Sequence, residues 1–248
     1  MNEYFNDIKQ QYVEQTGVSW PKKPSLHRIN EENIARYIDH TNLKLDVDNG
    51  KIQTLCEEAM THEFFSVCIP LIFVPHTHTL LENTPVKICT VIGFPFGYLP
   101  TSSKVEETRY ALSEGAEEVD MVVCVGDVKQ GLYMRVFDDI ATVKEICGDR
   151  CVKVILECSE LTDEEKIRVA TIAMLAGADF VKTSTGFASG GATLDDISLL
   201  RSVVGEIGAV KASGGIRDIS FALACKEAGA DRIGSSSGLR IIEQQKDL

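Results

Sequence analysis

From about Asn33 onward the chain alternates between short apolar runs and segments of helical periodicity, and this alternation constrains the fold more than any other feature. Eight such pairs follow one another at roughly 25–30 residues each, the size of a βαβ unit. The predicted strands are residues 34–39, 64–69, 86–92, 118–123, 151–156, 180–182, 209–212 and 232–234. The predicted helices are residues 50–62, 75–81, 103–113, 132–146, 162–175, 194–204, 219–227 and 237–245.

A short loop sequence recurs before three of the strands. Gly115-Ala116-Glu117, Gly177-Ala178-Asp179 and Gly229-Ala230-Asp231 each follow a predicted helix, where glycine ends the helix in the left-handed conformation. The repetition favours an α/β fold in which eight units close as a (β/α)8 TIM barrel. An open doubly wound sheet is the alternative, but no G-x-G-x-x-G motif follows an early strand.

The first 33 residues differ from the rest and are predicted to form a helical arm outside a single barrel domain of residues 34–248. Apolar residues occur there at helical spacing, and a proline-rich stretch, Trp20 to Pro24, then interrupts the helix. These apolar residues are Tyr4, Phe5, Ile8, Tyr12 and Val13. The arm is expected to pack on the outside of the barrel or on a partner.

Composition excludes several classes of function. The 248 residues carry a formal net charge of −12, which argues against a nucleic-acid partner. No run approaches the length of a membrane-spanning helix, and the N-terminus has no apolar signal segment. The eight cysteines are scattered without a C-x-x-C pair, so they are predicted to be free thiols in a reducing cytoplasm.

Two lysines stand at the ends of neighbouring predicted strands. Lys182 follows an apolar run and precedes Thr183-Ser184-Thr185-Gly186, and Lys211 lies in a similar setting before Ser213-Gly214-Gly215. A single lysine at a strand end is more often a solvated side chain, but two facing each other form a recognised nucleophile arrangement. Each cation is expected to lower the pKa of the other, so that one amine can attack a carbonyl carbon and form a Schiff base.

Three acids lie at the same predicted end of the barrel. Asp120 interrupts the fourth apolar strand and is predicted to be a carboxylate that holds one lysine charged and transfers protons, although a structural ion pair is an alternative. Asp39 ends the first strand and is expected to reach the same mouth. Glu157 ends the fifth strand and is explained equally well by a salt bridge.

The loops after strands seven and eight suggest a phosphate site, because these loops often bind phosphate in TIM barrels. Gly214 and Gly215 allow backbone N–H groups to approach an anion, Ser236 and Ser237 add hydroxyl donors, and Gly186 after strand six would join them. No cofactor motif is visible. His76 and His78 lack a clear third ligand, so no metal site is expected there.

These residues together indicate class I aldolase chemistry on a phosphorylated sugar, and they resemble a known family. The stretches 179–191 and 210–217, Val119-Asp120-Met121-Val122, residues 38–44 and Gly234-Ser235-Ser236-Ser237 are similar to deoxyribose-phosphate aldolases in content and order. The resemblance runs from about Asn33 to the C-terminus.

The resemblance implies reversible cleavage of 2-deoxy-D-ribose 5-phosphate to D-glyceraldehyde 3-phosphate and acetaldehyde. It implies that Lys182 forms the Schiff base, that Lys211 lowers its pKa and that Asp120 transfers protons. By the same match Asp39 and Thr41 line the mouth, and a further group surrounds the phosphate: Gly186, Gly214, Gly215, Ser236 and Ser237. The family usually works without a cofactor in the cytoplasm, in deoxynucleoside catabolism, and often as a homodimer.

Two departures from the family and two other functions remain to be weighed. Phe187 stands where some members carry a lysine near the phosphate, which would weaken phosphate binding or favour less charged aldehydes. The N-terminal arm exceeds that of the shortest members. The alternatives are another lysine-dependent barrel enzyme with a longer donor, which should not use acetaldehyde, and a non-catalytic sugar-phosphate sensor, which would not need both lysines and Asp120.

Overall fold

The structure is a computed structural model that describes residues 2–22, 25, 27 and 33–246 of the chain. Eight parallel strands close into a barrel in chain order, each paired with its sequence neighbours, and β8 pairs with β1. The strands are β1 Ile38–Thr41, β2 Ser66–Ile69, β3 Lys87–Ile92, β4 Glu118–Val122, β5 Cys151–Ile155, β6 Phe180–Lys182, β7 Ala209–Ser213 and β8 Arg232–Ser235. The predicted (β/α)8 barrel is therefore confirmed, and the doubly wound sheet is wrong.

Helices connect the strands and surround the barrel. They are α1 Asn2–Thr16, α2 Asn49–Thr61, α3 Val74–Leu81, α4 Thr101–Ser113, α5 Val125–Lys129, α6 Tyr133–Cys147, α7 Asp163–Leu175, α8 Leu194–Val204, α9 Ile219–Glu227 and α10 Gly238–Gln245. Local sequence explains their ends. Thr162 and Glu165 form a reciprocal capping box at the start of α7, and the three repeated glycines, Gly115, Gly177 and Gly229, all have positive φ after a helix.

The clearest differences between the sequence interpretation and the structure lie at the first strand and after β4. Residues 34–39 were expected to be the first strand, but Ile34–Tyr37 forms a 3-10 helix and β1 begins only at Ile38. Asn33 accounts for the difference, because its side chain accepts a hydrogen bond from the Ala35 N–H and caps a helical turn. The short helix α5 between β4 and α6 was not predicted.

The apolar core lies between the strands and the helices rather than inside the barrel. Along β6, Val181 packs in this core, whereas Lys182 on the opposite face points into the barrel. The same alternation puts Asp120 inward between the outward-facing Val119 and Met121 of β4. The barrel interior thus carries charged side chains at a level where barrels usually contain branched apolar residues.

The N-terminal helix α1 packs on the outside of the barrel against α7. Ile8 and Tyr12 are buried, and Arg168 of α7 donates to the Tyr12 hydroxyl at 3.4 Å. Ser25 donates its backbone N–H to the Glu206 carbonyl at 2.8 Å. The side chains of Tyr4 and Phe5 and the positions of Lys23 and Pro24 lie outside the described residues.

All eight cysteines lie in the described part of the chain and are free thiols. Across the residues that the structure describes, no helix has both the length and the apolar character that crossing a membrane requires.

Candidate active site

Lys182 and Lys211 lie side by side at the carboxyl ends of β6 and β7. Their Cα atoms are register partners in the parallel ladder, so both side chains enter the barrel at one level. Each Nζ donates to the same oxygen, Oδ2 of Asp120, at 2.8 Å. The structure therefore brings together the two lysines and the aspartate predicted to carry the chemistry.

Two hydroxyl residues fix the relative position of these strand ends. The Thr183 hydroxyl donates to the Ser213 carbonyl at 3.1 Å and accepts from the Ser213 N–H at 3.1 Å. The Ser213 hydroxyl donates to the Ser184 carbonyl at 2.6 Å. These bonds hold the segment after Lys182 against the end of β7, so that the lysines keep their separation.

The charge states differ from the simple expectation of two lysines that lower each other's pKa. Burial lowers the pKa of Lys211, but Asp120 and Asp39 outweigh burial and raise it, so Lys211 remains an ammonium group. Burial raises the pKa of Asp120, yet Lys153, Lys182 and Lys211 together hold it well below its usual range. The prediction of a lowered pKa is therefore wrong for Lys211. Its two carboxylate partners favour the charged ammonium group, which lies next to Lys182.

The network continues into the barrel through residues that sequence reasoning did not single out. Lys153 of β5 donates to Asp120 Oδ1 at 2.8 Å and pairs with Glu118 Oε2 at 2.6 Å. Arg232 of β8 donates to Asp39 Oδ1 at 2.9 Å and to Glu118 Oε2 at 3.2 Å. Lys153 is a single charge in an apolar strand, the same signal that identified Asp120, whereas Arg232 is the first residue of β8.

Asp39 belongs to this network and not to the wall of the cavity above it. It is fully buried, and its carboxylate accepts hydrogen bonds from Lys211 and Arg232. Burial raises its pKa, but Lys211 and Arg232 hold it below its usual range. Asp39 is therefore placed to anchor Lys211 rather than to contact a ligand directly.

The charges of the network do not cancel when every member is ionised. Four cations, Lys153, Lys182, Lys211 and Arg232, face three carboxylates, Asp39, Glu118 and Asp120. Lys182 makes one contact in this network, to an oxygen that Lys211 also occupies. Loss of the Lys182 proton would consequently leave a balanced network with every carboxylate still paired.

Lys182 opens onto a cavity of about 250 Å³ at the carboxyl ends of the strands, which we call the lysine cavity. This end of the barrel is where the active sites of TIM-barrel enzymes lie. Besides Lys182, the cavity is lined by Thr41, Leu43, Lys44, Thr185, Gly186, Phe187, Ser213, Gly214, Gly215, Ile216, Arg217, Gly234, Ser235 and Ser236.

Four of the five residues predicted to surround a phosphate line this cavity, as does Thr41. Gly214 has a φ of +90°, and a Cβ there would lie 2.9 Å from the Gly191 Cα, so the loops after β6 and β7 approach too closely for a side chain. Ser237 is the exception. It precedes α10, and its N–H donates to the Ser235 hydroxyl at 2.9 Å.

Two cations of the lysine cavity, Arg217 and Lys44, were missed as ligand contacts. Both lie in stretches quoted for the family resemblance, and Arg217 lies two residues after Gly215 in the β7 loop. They supply positive charge on the glycine-rich side. Phe187 stands where some members of the family carry a lysine near the phosphate. The Phe187 ring packs edge-on against Phe94, with ring centroids 5.3 Å apart.

Glu157 forms no salt bridge among the described residues and instead anchors the loop after Lys182. Its Oε2 accepts from the Thr185 N–H at 3.2 Å and also from the Thr185 hydroxyl. Its φ of +60° is unusual for a residue with a side chain. This backbone conformation turns the chain sharply after β5, where the carboxylate meets the loop after β6.

Potential metal-ligating groups overlap with the lysine network. Cys68, Cys89 and Asp120 place their ligand atoms within 4.8 Å of one another. The Lys153 ammonium group contacts both Cys89 Sγ, at 3.3 Å, and Asp120. A metal ion there would face this ammonium group, so the residues fit a metal poorly. His76 and His78 lie on α3 and do not line the lysine cavity.

Comparisons with known proteins agree with this site. A model of the DeoC/LacD family of aldolases matches residues 33–244. A deoxyribose-phosphate aldolase of Streptococcus uberis is 51% identical over 210 residues, covering 84% of this chain and 95% of that protein. The solved structure of QR15, an aldolase, is 38% identical with a TM-score of 0.83, covering 88% of this chain and 97% of QR15.

A second solved structure covers a larger share of the chain. The tetrameric deoxyribose phosphate aldolase of Aeropyrum pernix is 31% identical with a TM-score of 0.80 and covers 97% of each chain. The family match spans most of the barrel, including both lysines and Asp120. This chain therefore belongs to the DeoC/LacD family of aldolases.

Proposed function

We propose that this chain is a deoxyribose-phosphate aldolase that reversibly cleaves 2-deoxy-D-ribose 5-phosphate to D-glyceraldehyde 3-phosphate and acetaldehyde, with Lys182 as the Schiff-base residue. One observation carries the assignment of Lys182. It is the lysine of the buried network that opens onto the lysine cavity, and it shares its carboxylate oxygen with a second ammonium group. The names of the curated relatives support the substrate.

In the cleavage direction, the neutral Lys182 amine attacks the C1 aldehyde of the open-chain sugar, and loss of water gives a protonated imine. The C3 hydroxyl then loses its proton as the C2–C3 bond breaks. Glyceraldehyde 3-phosphate leaves, and the bond electrons pass to C2 and the imine to form an enamine. Protonation at C2 and hydrolysis release acetaldehyde and restore the amine.

The other network residues support these steps. Asp120 and Asp39 raise the pKa of Lys211, so Lys211 places an ammonium group beside Lys182. Asp120 is within hydrogen-bond distance of both lysines and is the proposed proton relay. Asp120 and Lys211 interact strongly, so they are expected to titrate as a coupled pair.

The phosphate is proposed to bind on the glycine-rich side of the lysine cavity. Gly186, Gly214, Gly215 and Ser236 provide the wall there, and Arg217 supplies the charge. Ser237 would act through the start of α10 and not by direct lining. The global charge of −12 repels phosphate, so this local positive side is needed for binding.

The sequence pattern supports a domain arrangement with an arm of residues 1–33 on a catalytic barrel of residues 34–248. The family resemblance supports a cytoplasmic enzyme of deoxyribonucleotide catabolism that assembles as a homodimer. The Aeropyrum pernix relative is described as a tetramer, so a tetramer is the competing assembly. Sedimentation equilibrium of the full chain distinguishes the two.

A direct assay tests the proposed function. Wild-type protein should release acetaldehyde from 2-deoxyribose 5-phosphate, and a Lys182→Met variant should lose this turnover by orders of magnitude. A folded wild-type protein that binds the sugar phosphate without cleaving it would overturn the enzyme assignment in favour of a sensor. Failure with acetaldehyde as donor, together with turnover of a longer donor, would indicate a different lysine-dependent aldolase.

A further inference from the structure

Three side chains that can bind a metal ion meet at the amino ends of β5 and β6, at the opposite end of the barrel from the lysine cavity. Cys151 is the first residue of β5, and Asp179 directly precedes β6. His27 belongs to the segment between α1 and the barrel. The ligand atoms of the three residues lie within 4.8 Å of one another, and we call these residues the basal cluster.

Contacts on two sides hold His27 in this position. Its N–H donates to the Ser25 hydroxyl at 3.2 Å, and the Ser25 N–H in turn donates to the Glu206 carbonyl. The His27 ring packs against Phe180, with ring centroids 5.4 Å apart, and Phe180 belongs to a small buried cluster with Cys151. The imidazole therefore covers the amino end of the barrel beside the Cys151 thiol.

Asp179 is oriented so that one carboxylate oxygen faces His27. Oδ2 accepts hydrogen bonds from Lys144 Nζ at 2.8 Å and from the Val152 N–H at 2.9 Å. Oδ1 lies 3.5 Å from His27 Nε2. This separation exceeds the usual hydrogen-bond length, but it is close to the roughly 3.3 Å between nitrogen and oxygen ligands of a tetrahedral zinc ion. Hydrogen bonds to the second oxygen are the kind of contact that orients a metal-binding carboxylate.

The basal cluster differs in this respect from the group formed by Cys68, Cys89 and Asp120. In that group, Lys153 donates to both Cys89 Sγ and Asp120 Oδ1, so an ammonium group stands where a metal ion would have to bind. In the basal cluster, Lys144 contacts the aspartate oxygen that does not face the histidine. A cation there would meet an imidazole nitrogen, a sulfur atom and the other carboxylate oxygen.

The chemistry of these three ligands favours zinc. Imidazole and thiolate groups suit zinc, whereas magnesium and calcium prefer oxygen ligands alone. A Zn–S bond places sulfur about 3.6 Å from the other two ligand atoms, so Cys151 Sγ needs to move by at most about 1.2 Å. The side chains of His27 and Asp179 are 30% and 22% exposed, so the ion and a water ligand can enter.

We propose that the basal cluster binds one zinc ion through His27 Nε2, Cys151 Sγ and Asp179 Oδ1, with water as the fourth ligand. Zinc forms one bond to each ligand atom, and the Cys151 thiol releases its proton to solvent. The ion ties the segment after α1 to the starts of two barrel strands, and it stabilises the folded chain by mass action. This inference does not depend on the proposed function of Lys182.

Zinc titration of the full-length protein tests the inference. Metal-free protein is titrated with zinc sulfate at pH 7 in a calorimeter, and the wild type should bind one zinc ion per chain with a micromolar or lower Kd. His27→Ala and Cys151→Ser should each raise Kd at least about tenfold, since loss of a group that only orients a ligand already costs that much. His62→Ala and Cys225→Ser, which change a histidine and a buried cysteine outside the cluster, are the matched controls and should keep the wild-type Kd.

Thermal unfolding provides a second measurement. At a free zinc concentration of about 100 times Kd, the Tm of the wild-type protein should rise by about 5 °C. At the same concentration the Tm of His27→Ala should rise much less. Because His27 is partly exposed, this variant keeps the test decisive even if Cys151→Ser does not fold.

Three results would overturn the inference. The first is a wild-type protein that binds no stoichiometric zinc, and the second is an unchanged Kd in His27→Ala or in folded Cys151→Ser. The third is loss of zinc binding in Cys68→Ser, which would assign the ion to the group beside the lysine network. Cleavage of 2-deoxyribose 5-phosphate is measured separately, so the zinc site and the proposed function can fail independently.

Discussion

Replacing Lys182 and Lys153 one at a time by methionine should separate catalysis from stability. Both lysines are buried, both bind Asp120 at 2.8 Å, and loss of either one leaves three cations facing three carboxylates. Their other contacts differ. Lys182 pairs with one carboxylate of the network, whereas Lys153 also pairs with Glu118 at 2.6 Å.

The contacts that remain after each change set the magnitude. In Lys182→Met, Asp120 keeps Lys211 on Oδ2 and Lys153 on Oδ1, and no buried carboxylate loses its last partner. The free energy of unfolding should therefore stay within about 1 kcal/mol of wild type, since removal of a buried charge offsets the lost hydrogen bond. Lys153→Met leaves Asp120 Oδ1 without its lysine and should cost about 3–5 kcal/mol.

Urea unfolding at pH 7, followed by circular dichroism, measures both free energies, and acetaldehyde release measures turnover. Lys182→Met should be stable and inactive, while Lys153→Met should be markedly destabilised. Equal destabilisation of the two variants would refute the reasoning from the carboxylate partners of each lysine. So would a Lys182→Met variant that is the less stable of the pair.

Three further predictions concern packing, pH and the arm. Gly234→Ala should lower kcat about tenfold with little change in KM, because the added Cβ would lie 3.1 Å from Cε of Lys211 and would shift that ammonium group. Steady-state kinetics measures kcat and KM separately. Asp39 and Asp120 have lowered pKa values, so their contribution to the stability of the fold is complete above about pH 4 and is lost as the pH falls below it. Acid unfolding, monitored by circular dichroism, should begin in that range. Deleting residues 1–22 should lower the free energy of unfolding by about 3 kcal/mol or more because buried apolar contacts with the barrel are lost, yet cleavage at low temperature should persist.

Periodicity alone predicted most of the fold, because alternating strands and helices of this length have few ways to bury their apolar faces. The strand over Phe180–Lys182 and the helices over Leu194–Val204 and Ile219–Glu227 have the predicted bounds. The 3-10 turn of Ile34–Tyr37 was missed because a short apolar run does not distinguish a strand from a helical turn. The cap from Asn33 decides between them.

The candidate site was predictable where a charge interrupts an apolar strand. Lys182, Lys211 and Asp120 met this condition and converge in the structure. Lys153 interrupts β5 in the same way and Arg232 begins β8, but both were overlooked. Their roles depend on which residues of neighbouring strands share a level, and that register follows from the closure of the barrel, not from one strand's sequence.

Cavity shape was the least predictable property. From the sequence, Phe187 was interpreted as the loss of a cation near the phosphate. In the structure, Arg217 and Lys44 from other loops line the lysine cavity and supply positive charge. The same phenylalanine also borders a second cavity, of about 230 Å³, whose walls come from segments far apart in the chain, such as Phe96 and Val125. Sequence reasoning treats such loops separately, whereas a binding site depends on how they meet.

Borohydride trapping with acetaldehyde tests the central claim most directly. Wild-type protein is incubated with acetaldehyde, reduced, digested and analysed by peptide mass spectrometry, with Lys182→Met and Lys211→Met as matched variants. The account predicts an ethyl adduct on Lys182 in the wild-type protein and no adduct in Lys182→Met. An adduct on Lys211 with Lys182 unmodified, or no adduct in a folded protein that binds 2-deoxyribose 5-phosphate, would contradict it.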